Sequence, residues 1–168
     1  MSQKCEYLIA DNEIFSERLS DISTCCQHHK KKVIGEVKIM ELAGISEYPN
    51  GIYLFYNSKD KAKQDELLYV GRVKSRSFIG RLPSHFDPRQ DAWFNSLTRK
   101  VGEHERLAYK DAIQVALSFK VLLIGVRDTS LITRIESVFR SFLAPRYNLT
   151  RKRYSGREYL KELLCSQG

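Results

Sequence analysis

Hydrophobic and polar residues alternate in two different ways along this chain, and the first of them predicts strands. Residues 51–56 (GIYLFY) and 67–73 (LLYVGRV) are apolar runs on either side of a charged connector, a pattern typical of an antiparallel hairpin. Turn-forming residues at 48–51 (YPNG) lead into the first run. A third apolar run, residues 119–126, predicts a buried strand.

The first of these runs predicts a strand with two different faces. Successive side chains of a strand point to opposite faces of its sheet, so Ile52 and Leu54 share one face and Tyr53 and Phe55 share the other. We therefore expect one face to anchor the sheet while the other presents Tyr53. We assign Tyr56 to the core.

The second pattern is the helical period of apolar residues. It predicts helices over residues 11–24, an irregular 75–86, a segment starting at 87, a stretch from Gly102 to about 114, and 130–143. Asp87 is a suitable N-cap, with Pro88 at the first helical position. The fold class is therefore α+β, a small three-stranded mixed or antiparallel sheet flanked by helices, with N-terminal and helical additions.

Length and composition favour one soluble domain of 168 residues. We divide the chain into an accessory segment (1–48), a core (49–150) with a helical insertion (87–114), and a basic tail (151–168). No apolar run is long enough to suggest a membrane span, and the first residues lack the layout of a signal peptide. These features predict a cytoplasmic protein with no membrane partner.

The net charge of +8 is unevenly distributed. Residues 1–50 carry a balance of −2 and residues 51–168 a balance of +10. A basic body is typical of nucleic-acid binding, although a solvated surface is the plainer alternative. The candidate phosphate-binding residues are Arg72, Arg76, Arg89, Arg99, Lys100, Arg151, Lys152 and Arg153.

Cysteines and histidines do not form a recognisable metal motif. None of the four cysteines forms a CxxC pair, which argues against a zinc or redox motif. Residues 25–29 (CCQHH) place potential ligands side by side, but adjacent side chains rarely converge on one ion. We expect reduced thiols in a helix end and loop.

Glu136 is the one carboxylate that interrupts a strongly apolar helical pattern. Its neighbours one turn away include Ile132 and Phe139, so it borders the apolar stripe. A carboxylate beside a core is costly unless it is paired or bound to a cation. Two interpretations stay open, an ion pair with Arg140 or a metal ligand facing a cleft.

Taken together, these residues resemble the GIY-YIG endonuclease superfamily over about residues 49–150. The matching elements, in order, are Gly51-Ile-Tyr53, Tyr69-Val-Gly71, Lys74, Arg81-Leu82 with His85, Glu136, and Asn148. Two departures are a hairpin connection of fifteen residues between the two tyrosines and an arginine that stands further from the second strand. We choose Arg81 over Arg76 as the family arginine because only Arg81 has a histidine one turn later.

The resemblance implies a GIY-YIG nuclease fold and a metal-dependent DNA endonuclease. It assigns Tyr53 as general base and Arg81 as a phosphate ligand, and Glu136 would bind a single Mg²⁺, which Mn²⁺ could replace. Because no separate DNA-binding domain fits in the chain, it implies restriction-type cleavage of double-stranded DNA by a homodimer. Alternatives are a structure- or damage-selective repair or mobile-element nuclease, and a DNA-binding module that has lost cleavage.

The remaining family positions would support this site. Tyr69 would contact the same phosphate or water, Lys74 would add positive charge, and His85 would orient a hydroxyl or protonate the leaving group. Gly51, Gly71 and Asn148 would support the site structurally, with Asn148 tying the helix end to the sheet. Outside the family pattern, Trp93 and Phe94 belong either to the core or to a dimer surface.

Overall fold

A computed structural model gives the fold for most of the chain. It describes residues 7–10 (backbone only), 31–38, 42, 48–57 and 65–148. The predicted helix at 11–24, the four cysteines and the candidate residues Arg151, Lys152 and Arg153 lie outside the described residues.

The described residues form one mixed sheet of five strands. The strands are β1 (Tyr7–Ala10), β2 (Lys32–Val33), β3 (Gly51–Asn57), β4 (Glu66–Val73) and β5 (Lys120–Val126). The main order is β1-β5-β3-β4, and β2 pairs with β5. The β1–β5 pair is parallel, and the other pairs are antiparallel. The α+β class is therefore confirmed.

The prediction of three strands is wrong in number. β3, β4 and β5 are the three strands predicted from the apolar runs, and β1 and β2 extend the sheet beyond them. Both added strands lie within residues 1–48, the segment predicted to be an accessory. They are short, and β2 has only two residues, so a periodicity of apolar positions cannot reveal it.

Four α-helices lie in the described residues. They are α1 (Phe78–Arg81), α2 (Ser96–Glu105), α3 (Tyr109–Leu117) and α4 (Ile132–Leu143), with 3-10 turns at Ile34–Glu36 and Pro83–Phe86. The irregular helical segment at 75–86 and the long helix at 130–143 are thus confirmed. The predicted helical insertion needs correction in two places.

The helix predicted from residue 87 is wrong. Residues 87–95 form turns, because the Asp87 carboxylate accepts the backbone N–H of Arg89 in a local turn and caps no helix. The predicted start of a helix just after Gly102 is also wrong, since Gly102 lies inside α2. The chain breaks at Arg106, which adopts a left-handed conformation with φ of 55°.

The sheet separates two hydrophobic clusters. Tyr53 and Phe55 pack on one face, against residues of α2 and α3. Ile52, Leu54 and Tyr56 pack on the other, against α4. The predicted alternation along β3 is confirmed, and Tyr56 belongs to the core as expected.

The described helices can also be compared with the length that a bilayer requires. None of them is long and apolar enough to cross a membrane.

Candidate active site

A candidate site lies beside the second half of β4, which is an edge strand of the described sheet. Over its first half the outer edge of β4 is covered, because the Tyr147 N–H donates to the Leu68 carbonyl at 2.8 Å. The Asn148 side chain then accepts the Val70 N–H at 2.5 Å and donates to the Val70 carbonyl at 2.9 Å. Beyond Val70 the edge faces a cleft, so side chains from both sheet faces can reach the same space.

Gly71 allows the ring of Tyr53 to lie across this edge strand. Tyr53 on β3 and Gly71 on β4 are register partners. A Cβ atom at Gly71 would overlap the Tyr53 ring and hydroxyl. The glycine of the YVG sequence is therefore required by packing, because any side chain there would displace Tyr53.

Gly51 solves a similar problem at the start of β3. A Cβ atom at Gly51 would overlap the backbone carbonyl of Ile124 on β5. The glycine thus lets β3 approach β5 closely, two residues before Tyr53, and fixes where that tyrosine lies.

The Tyr53 hydroxyl is hydrogen-bonded to a buried histidine. Its oxygen lies 2.6 Å from Nε2 of His85, which is fully buried. The Leu97 backbone N–H donates to Nδ1 of the same ring at 3.4 Å. Because a neutral imidazole carries one ring proton and Nδ1 accepts the Leu97 N–H, we assign that proton to Nε2. The His85 Nε2–H then donates a hydrogen bond to the Tyr53 oxygen.

The electrostatics of this pair keep both groups neutral. Burial, with a smaller contribution from the positive charge of Arg81, holds the pKa of His85 well below its usual value. Burial also raises the pKa of Tyr53 well above its usual range, and the nearby Tyr69 and Glu136 raise it further. Arg81 opposes this increase through its charge and a hydrogen bond. Tyr53 is therefore a phenol at neutral pH.

Arg81, at the end of α1, is held in place by several hydrogen bonds. Its Nη1 donates to Ser84 Oγ at 2.6 Å and to the Phe94 carbonyl at 2.8 Å. The guanidinium has five N–H donors, so these bonds orient it without using all of them. Arg76 also lines the cleft but is exposed, with no such anchoring. The contact with Tyr53 favours Arg81 as the functional arginine.

Tyr69 lies beside Tyr53 on the same face. The two rings stack at 6.3 Å between centroids, and the Tyr69 hydroxyl lies 3.1 Å from Ser96 Oγ on α2. Lys100, half-buried on the same helix, places its Nζ 5.8 Å from the Tyr69 ring centroid. Tyr69 thus lines the cleft with its hydroxyl already hydrogen-bonded.

Glu136 reaches the same cleft from the opposite face of the sheet. It lies on α4 with only 9% of its surface exposed, and its Oε2 is 2.8 Å from Nη1 of Arg72 on β4. Arg140, one helical turn later, is more distant at 3.8 Å from Oε1. The predicted ion pair with Arg140 is present, but Arg72 is the closer partner.

The cleft has a volume of about 670 Å³ and is strongly basic. Both site tyrosines, Gly71 and Trp93 are among the residues that line it. Its charged lining residues are Arg72, Lys74, Arg76, Arg81, Arg140 and Glu136. Five cationic side chains surround one carboxylate, so the cleft attracts polyanions.

Not every predicted residue reaches this cleft. His85 is buried behind Tyr53, where it can orient the hydroxyl but cannot reach a leaving group in the cleft. Asn148 ties the chain after α4 to the edge of the sheet, as predicted. Arg89 is exposed and paired with Asp87 at 2.8 Å, and Arg99 is exposed on α2; neither lines the cleft.

The sequence did not point to three members of the site. Arg140 was considered only as a partner of Glu136, yet it lines the cleft as well. Ser96 carries no motif, and its contact with Tyr69 depends on how α2 packs. Trp93 was assigned to the core or to a dimer surface; it is 75% exposed and lines the cleft. The polar turn-forming residues on either side of Trp93 were the one feature of the sequence that indicated an exposed side chain there.

No group of three or more His, Cys, Asp or Glu side chains in the described residues is arranged to hold a metal ion. Comparisons with protein-family models, curated proteins and solved structures found no match.

Proposed function

We propose that this protein is a Mg²⁺-dependent endonuclease that hydrolyses phosphodiester bonds in DNA. The observation that carries the proposal is the convergence of Tyr53, Arg81 and Glu136 on one basic cleft. They come from three separate elements and from both sheet faces, and they occupy the positions that resemble the catalytic set of GIY-YIG nucleases. A purely structural role for all three would not require a shared cleft.

The chain's own residues offer phosphate binding and charge stabilisation. Arg81 is anchored beside Tyr53 and can donate two N–H groups to phosphate oxygens. Lys74 and Arg76, both exposed on the wall of the cleft, add positive charge along the path of a nucleic-acid backbone. These groups favour the extra negative charge that develops on phosphorus during hydrolysis.

Tyr53 is proposed as the group that takes a proton from the attacking water. As a phenol with a raised pKa, it must first lose its own proton to solvent water in the cleft. The phenolate oxygen then takes one proton from the attacking water as that water's oxygen bonds to phosphorus, while the bond from phosphorus to the leaving nucleoside oxygen breaks and the leaving oxygen is protonated by solvent. The His85 N–H and the Arg81 guanidinium both donate toward its oxygen, so they stabilise the negative charge that would develop there. His85 is a positioning residue in this scheme.

The donor set fits a single Mg²⁺ ion. Glu136 is the one carboxylate in the lining, it is largely buried, and it faces the cleft. Mg²⁺ commonly keeps several waters and takes one carboxylate together with substrate oxygens. Arg72 now holds Oε2, so we expect it to turn toward substrate phosphate when the ion is bound. The ion would stabilise negative charge on the phosphate, and it would favour the negatively charged forms of nearby acidic groups such as the Tyr53 phenol.

Site-specific cleavage by a homodimer is the finer form of this proposal. It rests on the resemblance to GIY-YIG nucleases. Incubating plasmid DNA with Mg²⁺ separates the candidates: discrete fragments support a restriction-type enzyme, and cutting only at branched or distorted sites supports a structure-selective one. Binding without cleavage by either Mg²⁺ or Mn²⁺ would support an inactive DNA-binding module.

The central test is Glu136→Gln. We expect metal-dependent cleavage to fall by about 100-fold or more, because the carboxylate oxygens that bind the ion are lost. Binding of DNA, measured by fluorescence anisotropy in EDTA, should be retained or slightly stronger because a negative charge leaves the basic cleft. Initial cleavage rates on plasmid DNA give the first quantity.

Glu103→Gln is a matched control. Glu103 is exposed on α2 and does not line the cleft, so the same change of charge there should leave cleavage unchanged. Thermal melts of both variants check that loss of the Arg72 ion pair has not unfolded the protein. Full cleavage by a folded Glu136→Gln variant would contradict the assignment of Glu136 as metal ligand.

A further inference from the structure

Trp93 is a large apolar side chain exposed at the wall of the candidate site. It is 75% exposed, whereas burying a tryptophan side chain would be strongly favourable. It lines the same cleft as Tyr53 and Arg81. It is also the only tryptophan of the chain. The catalytic scheme above does not use it.

The loop that carries Trp93 is tightly organised. The Asp87 carboxylate accepts the Arg89 N–H at 2.9 Å, and the Asn95 amide donates to the Arg89 carbonyl at 2.8 Å. The Tyr109 hydroxyl donates to the Asp87 carbonyl at 2.7 Å and accepts from Asn95 at 2.6 Å. These bonds tie both ends of the loop to each other and to α3, so the backbone that carries the exposed indole is well anchored.

The same loop is connected to the catalytic arginine. Arg81 Nη1 donates to the carbonyl of Phe94, the residue after Trp93. The Phe94 ring packs edge-to-face against the indole at 5.4 Å between centroids. The Phe94 ring therefore packs against the indole. The backbone of the same residue is hydrogen-bonded to Arg81, which would bind the scissile phosphate.

Charge identifies the kind of molecule that would cover this indole. The cleft beside it presents five cationic side chains and one carboxylate, which fits a polyanion and not an apolar partner surface. A cationic track next to an exposed aromatic ring is the arrangement that binds single-stranded nucleic acid, with phosphates on the cations and bases on the ring. A nucleobase is the part of DNA that offers a flat face to an indole.

We propose that Trp93 stacks on a nucleobase adjacent to the phosphate held by Arg81, so that the preferred substrate is DNA with an unstacked base at the cleavage position. This inference rests on the proposed function and, among its forms, supports the structure-selective nuclease over restriction-type cleavage of an intact duplex. Inside an intact duplex each base is stacked on both sides, and its face is not accessible. Single strands, bulges and flaps expose such a face without the cost of unstacking.

The single tryptophan allows a direct test in the full-length protein. In EDTA, where no cleavage is expected, the protein is titrated with a labelled single strand, a duplex containing a one-base bulge, and a perfect duplex. Anisotropy of the label reports binding, and tryptophan emission reports stacking. We expect emission to fall on binding of the single strand and the bulged duplex.

Substitutions give the second measurement. Trp93→Ala should weaken binding of the single strand and the bulged duplex by about 5- to 150-fold, with a smaller effect on the perfect duplex. Trp93→Phe keeps an aromatic face and should retain most of the affinity. Phe142→Ala is the matched control, because Phe142 is also exposed, at 42%, but does not line the cleft.

The outcomes separate this inference from the proposed function. Binding with unchanged tryptophan emission, or equal affinities of wild type and Trp93→Ala for all three DNAs, would overturn stacking while leaving the nuclease proposal intact. A dimer in light scattering that Trp93→Ala converts to a monomer would assign the indole to a second copy of the chain. Failure to bind any of the DNAs would overturn both.

Discussion

The two faces of β3 carry two tyrosines that are equally buried and differ in their surroundings. Tyr53 and Tyr56 are each only 1% exposed. Tyr56 packs among aliphatic residues against α4, with Lys31 Nζ 4.6 Å from its ring centroid. Tyr53 packs beside a buried imidazole, a guanidinium and the cleft. Burial therefore does not distinguish the core tyrosine from the one proposed to be catalytic; the imidazole, the guanidinium and the open cleft beside Tyr53 do.

The position of the edge strand β4 explains why the surroundings of Tyr53 and Tyr56 differ. Tyr53 points across Gly71 toward the open end of β4, whereas Tyr56 lies near the other end of the hairpin. Glu136 reaches this edge from the face of Tyr56, through its contact with Arg72. The cleft thus collects groups from both faces of the sheet at the open part of the β4 edge.

The largest expected contrast is between Tyr53→Phe and Tyr56→Phe. Loss of the Tyr53 hydroxyl should lower the rate of DNA cleavage by about 10²- to 10⁴-fold, the usual contribution of a general base. The free energy of unfolding should fall by about 1–3 kcal/mol, because the buried His85 N–H loses its acceptor. Tyr56→Phe should leave cleavage unchanged. Initial rates and urea unfolding give both quantities, and equal rates for the two variants would remove Tyr53 from the mechanism.

A smaller effect is expected from Gly71→Ala, which tests how Tyr53 is held. The new Cβ must displace the Tyr53 ring, so we expect the free energy of unfolding to fall by about 1–3 kcal/mol and cleavage to drop as well.

Gly80→Ala is the matched control for that change. A Cβ there meets only ordinary contacts, 3.7 Å from Arg76 Cβ and 3.8 Å from Ser77 Oγ, within α1. Its stability should be unchanged or slightly higher. If Gly71→Ala were as stable and active as Gly80→Ala, the close packing between Tyr53 and β4 would be contradicted.

The last expected contrast is a pH dependence of stability that comes from His85, on the Tyr53 face of the sheet. Because burial lowers the pKa of His85, the unfolded chain binds more protons than the native protein as pH falls below about 6.5. Stability from this group is complete above pH 6.5 and decreases toward acid, by up to about 1.4 kcal/mol per pH unit.

Comparison with His85→Asn isolates this contribution. Urea unfolding of both proteins between pH 7.5 and 5 should show the stability difference shifting against the wild type as pH falls. Parallel profiles would mean that the imidazole is not buried as a neutral group.

Local features of the chain were predictable to different degrees. The hairpin, the faces of β3 and the long helix at the end of the core follow from the spacing of apolar residues, and they were predicted correctly. Asp87 misled the helix prediction, because the same carboxylate that caps a helix can also accept an N–H two residues on in a turn. Local sequence alone does not decide between these two uses.

The sequence by itself determined the hairpin and the alternation that separates Tyr53 from Tyr56. Only the tertiary structure decided that Arg72 holds Glu136, that His85 lies behind Tyr53, and that Trp93 stands open beside the cleft. Periodicity records which way a side chain points from its own strand or helix. Which other element packs on that side chain, or whether it stays open to a cleft, depends on long-range packing and on where the sheet has an uncovered edge.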